Sequence, residues 1–144
     1  MESARNGSKI LVVDDEPDIA IAFKLALQDA GYIVDTSLDP LIALSKFKSS
    51  SYDLVILDIK MPKLNGFELY AEIRKVDNKV KVCFITAGEM FYDKVRMKKG
   101  EEGEQYCKLD TQRFLQKPIS NVELVRRINR IIIPKENPDI LQNT

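Results

Sequence analysis

Three carboxylates, a hydroxyl and an ammonium stand where alternating strands and helices would gather them. Asp14 and Asp15 follow the apolar run Ile10-Leu11-Val12-Val13, Asp58 ends Leu54-Val55-Ile56-Leu57, Thr86 closes Val80 to Ile85, and Lys117 follows Phe114 to Gln116. Three carboxylates held together repel, so they must take up protons or bind a cation. Oxygen ligands without His or Cys favour a hard ion, and Mg²⁺, which keeps several waters and needs few carboxylates, is the common choice. One Mg²⁺ and one Lys cancel the charge of three carboxylates, so a dianionic phosphoryl donor approaches without net repulsion. Metal and ammonium would then neutralise charge on the transferring group, and a carboxylate acting as nucleophile would form an acyl phosphate.

Other chemistries are excluded by composition. The chain has no histidine, so a His base, a His-ligated metal or a phosphohistidine must come from a partner. Cys83 and Cys107 fit no zinc or redox spacing and read as reduced thiols, Cys83 as a buried hydrophobe within its strand. The 22 Lys+Arg balance 22 Asp+Glu, so bulk charge offers no attraction to nucleic acid or a membrane surface. Met1 to Lys9 lack the apolar stretch of a signal peptide, and no apolar run approaches the ~20 residues of a membrane span. The expected location is the cytoplasm.

Positioning these residues requires a particular fold. A chain of 144 residues, 44% hydrophobic, suffices for one domain with a real core. Lys9 to Val13, Tyr32 to Thr36, Leu54 to Leu57, Val80 to Ile85 and Phe114 to Gln116 read as strands, mostly apolar throughout. Between them, Pro17 opens a helix with the stripe Ile19, Phe23, Ala26, Leu27 and Ala30, stopped by Gly31. Asp39-Pro40 caps a second helix facing inward through Leu41, Leu44 and Phe47; after the turn residues Pro62, Asn65 and Gly66, a third faces inward through Leu69, Tyr70, Ile73 and Val76. Ser120 and Glu123 form a capping box for a last helix with the face Leu124, Val125, Ile128, Ile131 and Ile132. Apolar strands alternating with helices imply an α/β, doubly wound, five-stranded parallel sheet of flavodoxin-like (βα)5 type, with ligands at the carboxyl ends of the strands.

Taken in order, Val12-Val13-Asp14-Asp15-Glu16, Leu57-Asp58-Ile59-Lys60-Met61-Pro62, Ile85-Thr86-Ala87 and Phe114-Leu115-Gln116-Lys117-Pro118 resemble the receiver domain of two-component response regulators, chemotaxis-regulator-like, over roughly residues 8 to 133. The resemblance implies that Asp58 is the phosphoacceptor, charged by a histidine kinase or histidine phosphotransfer protein. It implies that Asp15 binds Mg²⁺ (or Mn²⁺) directly, Asp14 chiefly through water, and that Asp58 and the Lys60 backbone carbonyl complete the protein ligands. Thr86 and Ala87 would lie at the phosphoryl group, with Lys117 paired to it. Phe114, three residues before the Lys, would be the switch aromatic that turns a local charge into a surface change read by a downstream protein target. The expected form is a monomer or a phosphorylation-dependent dimer, without nucleic-acid contact or membrane insertion. It takes part in catalysis, including its own dephosphorylation, more than it acts as a turnover enzyme.

Two alternatives belong to other classes. A phosphorylation-independent receiver-like scaffold would keep the fold without using Asp58, against which the complete acidic and Lys-Pro set argues. An aspartyl-phosphate phosphatase of the haloacid dehalogenase kind needs Asp-x-Asp after its first strand, which Asp14-Asp15-Glu16 does not supply.

The expected organisation is a disordered segment over 1–7, the receiver over 8–133, and a tail over 134–144 too short for an output domain, so that output is binding in trans. One departure from the family lies between Thr86 and Lys117, where the numbering advances by 31, more than receivers usually have. Lys98-Lys99-Gly100-Glu101-Glu102-Gly103-Glu104 there reads as a solvated loop, or else as a remodelled partner face built on the fourth helix, fifth strand and last helix. Lys60, beside the site entrance, bears on the lifetime of an acyl phosphate.

Overall fold

The computed structural model describes residues 7–87 and 113–133. Its elements are Lys9–Val13 (β1), Pro17–Asp29 (α1), Ile33–Ser37 (β2), Pro40–Lys46 (α2), Leu54–Asp58 (β3), Gly66–Val76 (α3), Lys81–Thr86 (β4), Phe114–Gln116 (β5) and Asn121–Ile132 (α4). The strands form one parallel sheet in the order β2-β1-β3-β4-β5. The chain leaves β1 for β2 on one side and returns to β3 on the other, which opens a crevice at the carboxyl ends of β1 and β3. Among the described residues no helix is long and apolar enough to cross a membrane. Residues 1–6, the loop Lys98 to Glu104, the fourth-helix part of the expected partner face, Cys107 and the tail 134–144 lie outside the described residues.

The strands are apolar on both sides because both faces of the sheet are covered. Leu11, Val13, Val55, Leu57, Val82 and Phe84 pack with Ala43 and Phe47 from the α2 region and with Leu69, Tyr70 and Ile73 of α3. On the opposite face, Ile10, Val12, Leu54, Ile56, Cys83, Ile85 and Leu115 meet Phe23 and Leu27 of α1 and Leu124, Ile128 and Ile131 of α4. Burying these side chains gives the sheet its stability, at roughly 1.5–3 kcal/mol for each large apolar residue taken out of water. Cys83 is fully buried, and that burial pushes its thiol up to about 12.

Several helix ends carry their expected devices. Pro17 and Pro40 each open a helix, and Asp39 Oδ1 accepts from the N–H groups of Leu41 and Ile42 at 2.8 and 3.3 Å. Gly31, at φ +105°, turns the chain out of α1 in a conformation that suits glycine. Three details depart from expectation. Leu41 is exposed, because the inward stripe runs through Pro40, Ala43 and Phe47 at i, i+3 and i+7. Val76 is exposed as the last residue of α3, where the chain turns away at Asp77. The complete capping box belongs to Asn65 and Glu68, not to Ser120 and Glu123: Ser120 accepts from the Glu123 N–H, but the Glu123 carboxylate turns to Arg126 and Arg127.

Candidate functional site

Parallel register brings the strand ends into step. Val13 pairs with Leu57, Asp58 with Ile85, and Thr86 with Gln116, so the residues that end four strands lie along one edge of the sheet. Backbone hydrogen bonds continue past the strands: Asp14 N–H to Ser37 O at 3.1 Å, Ile59 N–H to Ile85 O at 2.9 Å, and Lys117 N–H to Thr86 O at 2.8 Å. Beyond β3 the Gly66 N–H reaches Ile59 O at 2.8 Å, which anchors the start of α3 beside Asp58. The Lys117–Pro118 peptide bond is cis.

Asp14, Asp58 and Thr86 are buried, at 1%, 4% and 4% exposure, unusual for two carboxylates in a small domain. Asp14 Oδ1 accepts the Glu16 N–H at 2.9 Å. Its other oxygen, Oδ2, is buried, and Lys117 Nζ stands 3.1 Å away as its charged partner. The same ammonium lies 2.8 Å from Glu16 Oε1 and 3.6 Å from Asp58 Oδ2. Burial disfavours the charge on Lys117, yet Glu16, Asp14 and Asp58 together hold its ammonium above the ordinary lysine range.

Burial pushes the Asp58 carboxyl up to about 7; Asp14 adds to the effect by like-charge repulsion, Lys117 opposes it, and the neighbouring Asp15 carboxyl adds again by charge and hydrogen bonding. One carboxylate oxygen each from Asp14, Glu16 and Asp58 lies within 4.8 Å of the others. A buried carboxylate oxygen that shares its ammonium with two other acids, a carboxyl forced toward its neutral form and an all-oxygen donor set fit a hard divalent cation such as Mg²⁺.

Among the residues expected from sequence, Asp14, Asp15, Asp58 and Lys117 converge, and Thr86 adjoins them through the register of β3 and β4. Lys60 and Ala87 are exposed at the rim. Phe114 is half-buried behind the site, its ring stacked on Phe84 at 5.3 Å; Phe84 also meets Phe67 at 4.8 Å and Tyr70 at 5.5 Å. Sequence reasoning missed two residues. Glu16 was legible as a third acid in a row, but only the turn closed by Asp14 Oδ1 swings it back to Lys117. Gly66 fits a turn by residue type, whereas it packs directly against the backbone of Asp58 and Ile59.

The chain matches the family model described as the response regulator receiver domain over residues 10–129. It is 40% identical, over 91% of its length, to a Haemophilus influenzae protein described as a transcriptional regulatory protein CpxR homolog, of which it covers 53%. Chemotaxis protein CheY4 of Vibrio cholerae has a similar structure, with TM-score 0.71 and 28% identity over 87% of this chain and 98% of that one. The response regulator protein TrrA of Thermotoga maritima, solved in complex with Mg²⁺ and BeF, gives TM-score 0.67 and 35% identity over 86% and 98% of the two chains. The chain spans about half the length of the curated relatives it matches.

Proposed function

On the premise that this chain belongs to the response regulator receiver domain family, a family of signalling domains, we propose that it accepts a phosphoryl group on Asp58 from a partner's phosphohistidine and thereby switches the binding of a downstream protein. The observation that carries the reading is the Asp58 carboxyl, buried at the end of β3 between acidic neighbours and a single ammonium. An Asp58 oxygen attacks the phosphorus of the phosphohistidine. The P–O bond forms as the P–N bond breaks, its electron pair remaining on the imidazole nitrogen, which takes up a proton. Water later attacks the same phosphorus, releasing inorganic phosphate and the free carboxylate.

Asp14, Asp15 and Asp58, with the Lys60 carbonyl, would hold Mg²⁺, and Mn²⁺ would serve in its place; the bound ion neutralises charge on the phosphoryl oxygens. Lys117 supplies the fixed positive charge on the other side, and Thr86 offers its hydroxyl to a phosphoryl oxygen, with Ala87 beside it at the rim. Movement of Thr86 leaves room behind it for Phe114, so the half-buried ring on Phe84 is the element that transmits the change toward β5 and α4. Supplying no histidine, the chain is the Asp half of a His-to-Asp transfer. We place the protein in the cytoplasm, where kinase and target meet it, as a monomer or phosphorylation-dependent dimer.

Wild type and Asp58→Asn, each incubated with Mg²⁺ and acetyl phosphate and then with beryllofluoride, test the reading. Intact mass should show one phosphoryl group on wild type only, and backbone NMR shifts with beryllofluoride should require Asp58. Absence of any Asp58-dependent change with both small probes and with a phosphorylated histidine phosphotransfer protein would overturn it.

A further inference from the structure

We infer that Glu16 is a positioning residue that holds Lys117 away from Asp58 until a phosphoryl group takes the ammonium from it. The inference rests on the phosphoacceptor reading of Asp58. Glu16 occupies the N-cap of α1, yet its side chain makes no cap hydrogen bond; its carboxylate instead receives Lys117 Nζ at 2.8 Å, the shortest of that ammonium's three ion pairs. Asp58 Oδ2 is the farthest of the three, at 3.6 Å. Lys117 is thus nearest to the one carboxylate of the set that faces solvent, the Glu16 side chain being 60% exposed while that of Lys117 is 11% exposed.

This arrangement suits a latch. The Glu16–Lys117 pair can open on its solvent side, where water takes over the exposed Glu16 carboxylate as the contact breaks. A phosphoryl group on Asp58 would present anionic oxygens from the buried side, where the low dielectric strengthens attraction to the same ammonium. Glu16 also changes the charge balance of the site. Counting Asp14, Asp15, Asp58 and Glu16 against Lys117 and one divalent ion leaves one negative charge in excess, and while Glu16 and Lys117 remain paired that excess lies on the three aspartates and the ion.

Three proteins distinguish the latch from its alternatives: wild type, Glu16→Gln and Glu16→Asp, each titrated first with Mg²⁺ alone and then with beryllofluoride at saturating Mg²⁺, followed by backbone and ¹⁹F NMR. Gln removes the charge, while Asp keeps it on a side chain one methylene shorter, unable to span the present distance. The expected result is that both variants bind beryllofluoride about two- to five-fold more tightly than wild type at saturating Mg²⁺, the range for losing a partly exposed ion pair. Beryllofluoride binding weaker than wild type in both variants at saturating Mg²⁺ would make Glu16 part of the binding site and overturn the latch. A Glu16→Asp protein that behaves as wild type while Glu16→Gln binds more tightly would reduce the effect to bulk charge and also overturn it, as would no change in either variant. Wild type that binds no beryllofluoride through Asp58 would instead remove the phosphoacceptor reading itself.

Discussion

A methyl group on Gly66 would stand 2.6 Å from the backbone carbonyl oxygen of Asp58 and 2.8 Å from the Ile59 Cα. Both obstacles are backbone, so neither can rotate away, and the start of α3 reaches the end of β3 this closely only because residue 66 has no side chain. Gly66→Ala should force the two elements apart by a few tenths of an ångström and cost about 1–3 kcal/mol, as overpacking does elsewhere. Urea unfolding with a beryllofluoride titration would check it. Both stability and affinity should fall, and a variant equal to wild type in both would mean that the helix start adjusts freely.

The Asp58 carboxyl, lifted to about 7 chiefly by burial and then by Asp14, makes the metal-free protein sensitive to pH. A folded-state value above the unfolded one means that the native protein holds this proton more tightly. The resulting stability is fully present below about pH 4 and is lost as pH rises through about 7. In EDTA, wild type should therefore lose stability relative to Asp58→Asn between pH 5 and pH 8. The gap should be about 1–2 kcal/mol, solvent at the open sheet edge screening part of the effect. Added Mg²⁺ should close it for wild type, and its apparent affinity should rise about tenfold per pH unit below 7 and then level off, since binding displaces one proton. Thermal melts at several pH values, with and without EDTA, measure the first effect; parallel melting curves for the two proteins would refute it.

At the opposite end of the sheet, Asp77 ties two loops together. Its Oδ2 accepts the Ser50 N–H at 2.9 Å, and its Oδ1 accepts those of Lys79 and Val80 at 2.9 and 3.1 Å. The hydrogen bonds from Ser50 and Lys79 hold this carboxyl below the usual range against the opposing effect of burial. Stability from a lowered carboxyl is present above the unfolded value near 4 and lost as pH falls through the folded one. Asp77→Ala should cost about 1–3 kcal/mol by leaving N–H groups without a partner, and Asp77→Asn less. In both, the acid limb of the stability profile should flatten, while Asp58-dependent beryllofluoride binding persists. Loss of that binding in a folded variant would show that the two ends of the sheet are coupled.

Much of this site could be read from sequence because apolar strands end abruptly at polar residues. Asp14, Asp58, Thr86 and Lys117 each follow such a run, and parallel register then aligns them without further information. Helix phase was less legible. With the start at Pro40 as the Asp39 cap implies, Ala43 and not Leu41 is still the buried residue, and Val76 turns outward because the helix ends there. The roles of Glu16 and Gly66 were hidden for another reason. Each depends on a contact that periodicity does not encode, Glu16 with the distant Lys117 and Gly66 with the Asp58 backbone across the loop after β3.

Lys117 offers the sharpest separation of binding from switching. Its ammonium is the only cation among the described residues paired with Asp14 and Asp58, and it competes with any metal for their oxygens. Lys117→Ala should therefore keep the fold and raise Mg²⁺ affinity severalfold, because like charges are left to be neutralised by the ion alone. Phosphoryl binding should move the other way, since one fixed positive charge on the phosphoryl oxygens is gone. Transmission should fail as well. In wild type, beryllofluoride should shift amide signals at Asp58 and also around Phe114 and along α4; in Lys117→Ala, at concentrations that saturate the site, only the shifts near Asp58 should remain. Backbone NMR with Mg²⁺ and beryllofluoride measures both sets together. A variant whose shifts at Phe114 match wild type at full occupancy would show that Thr86 alone carries the signal and that Lys117 serves only to hold the group.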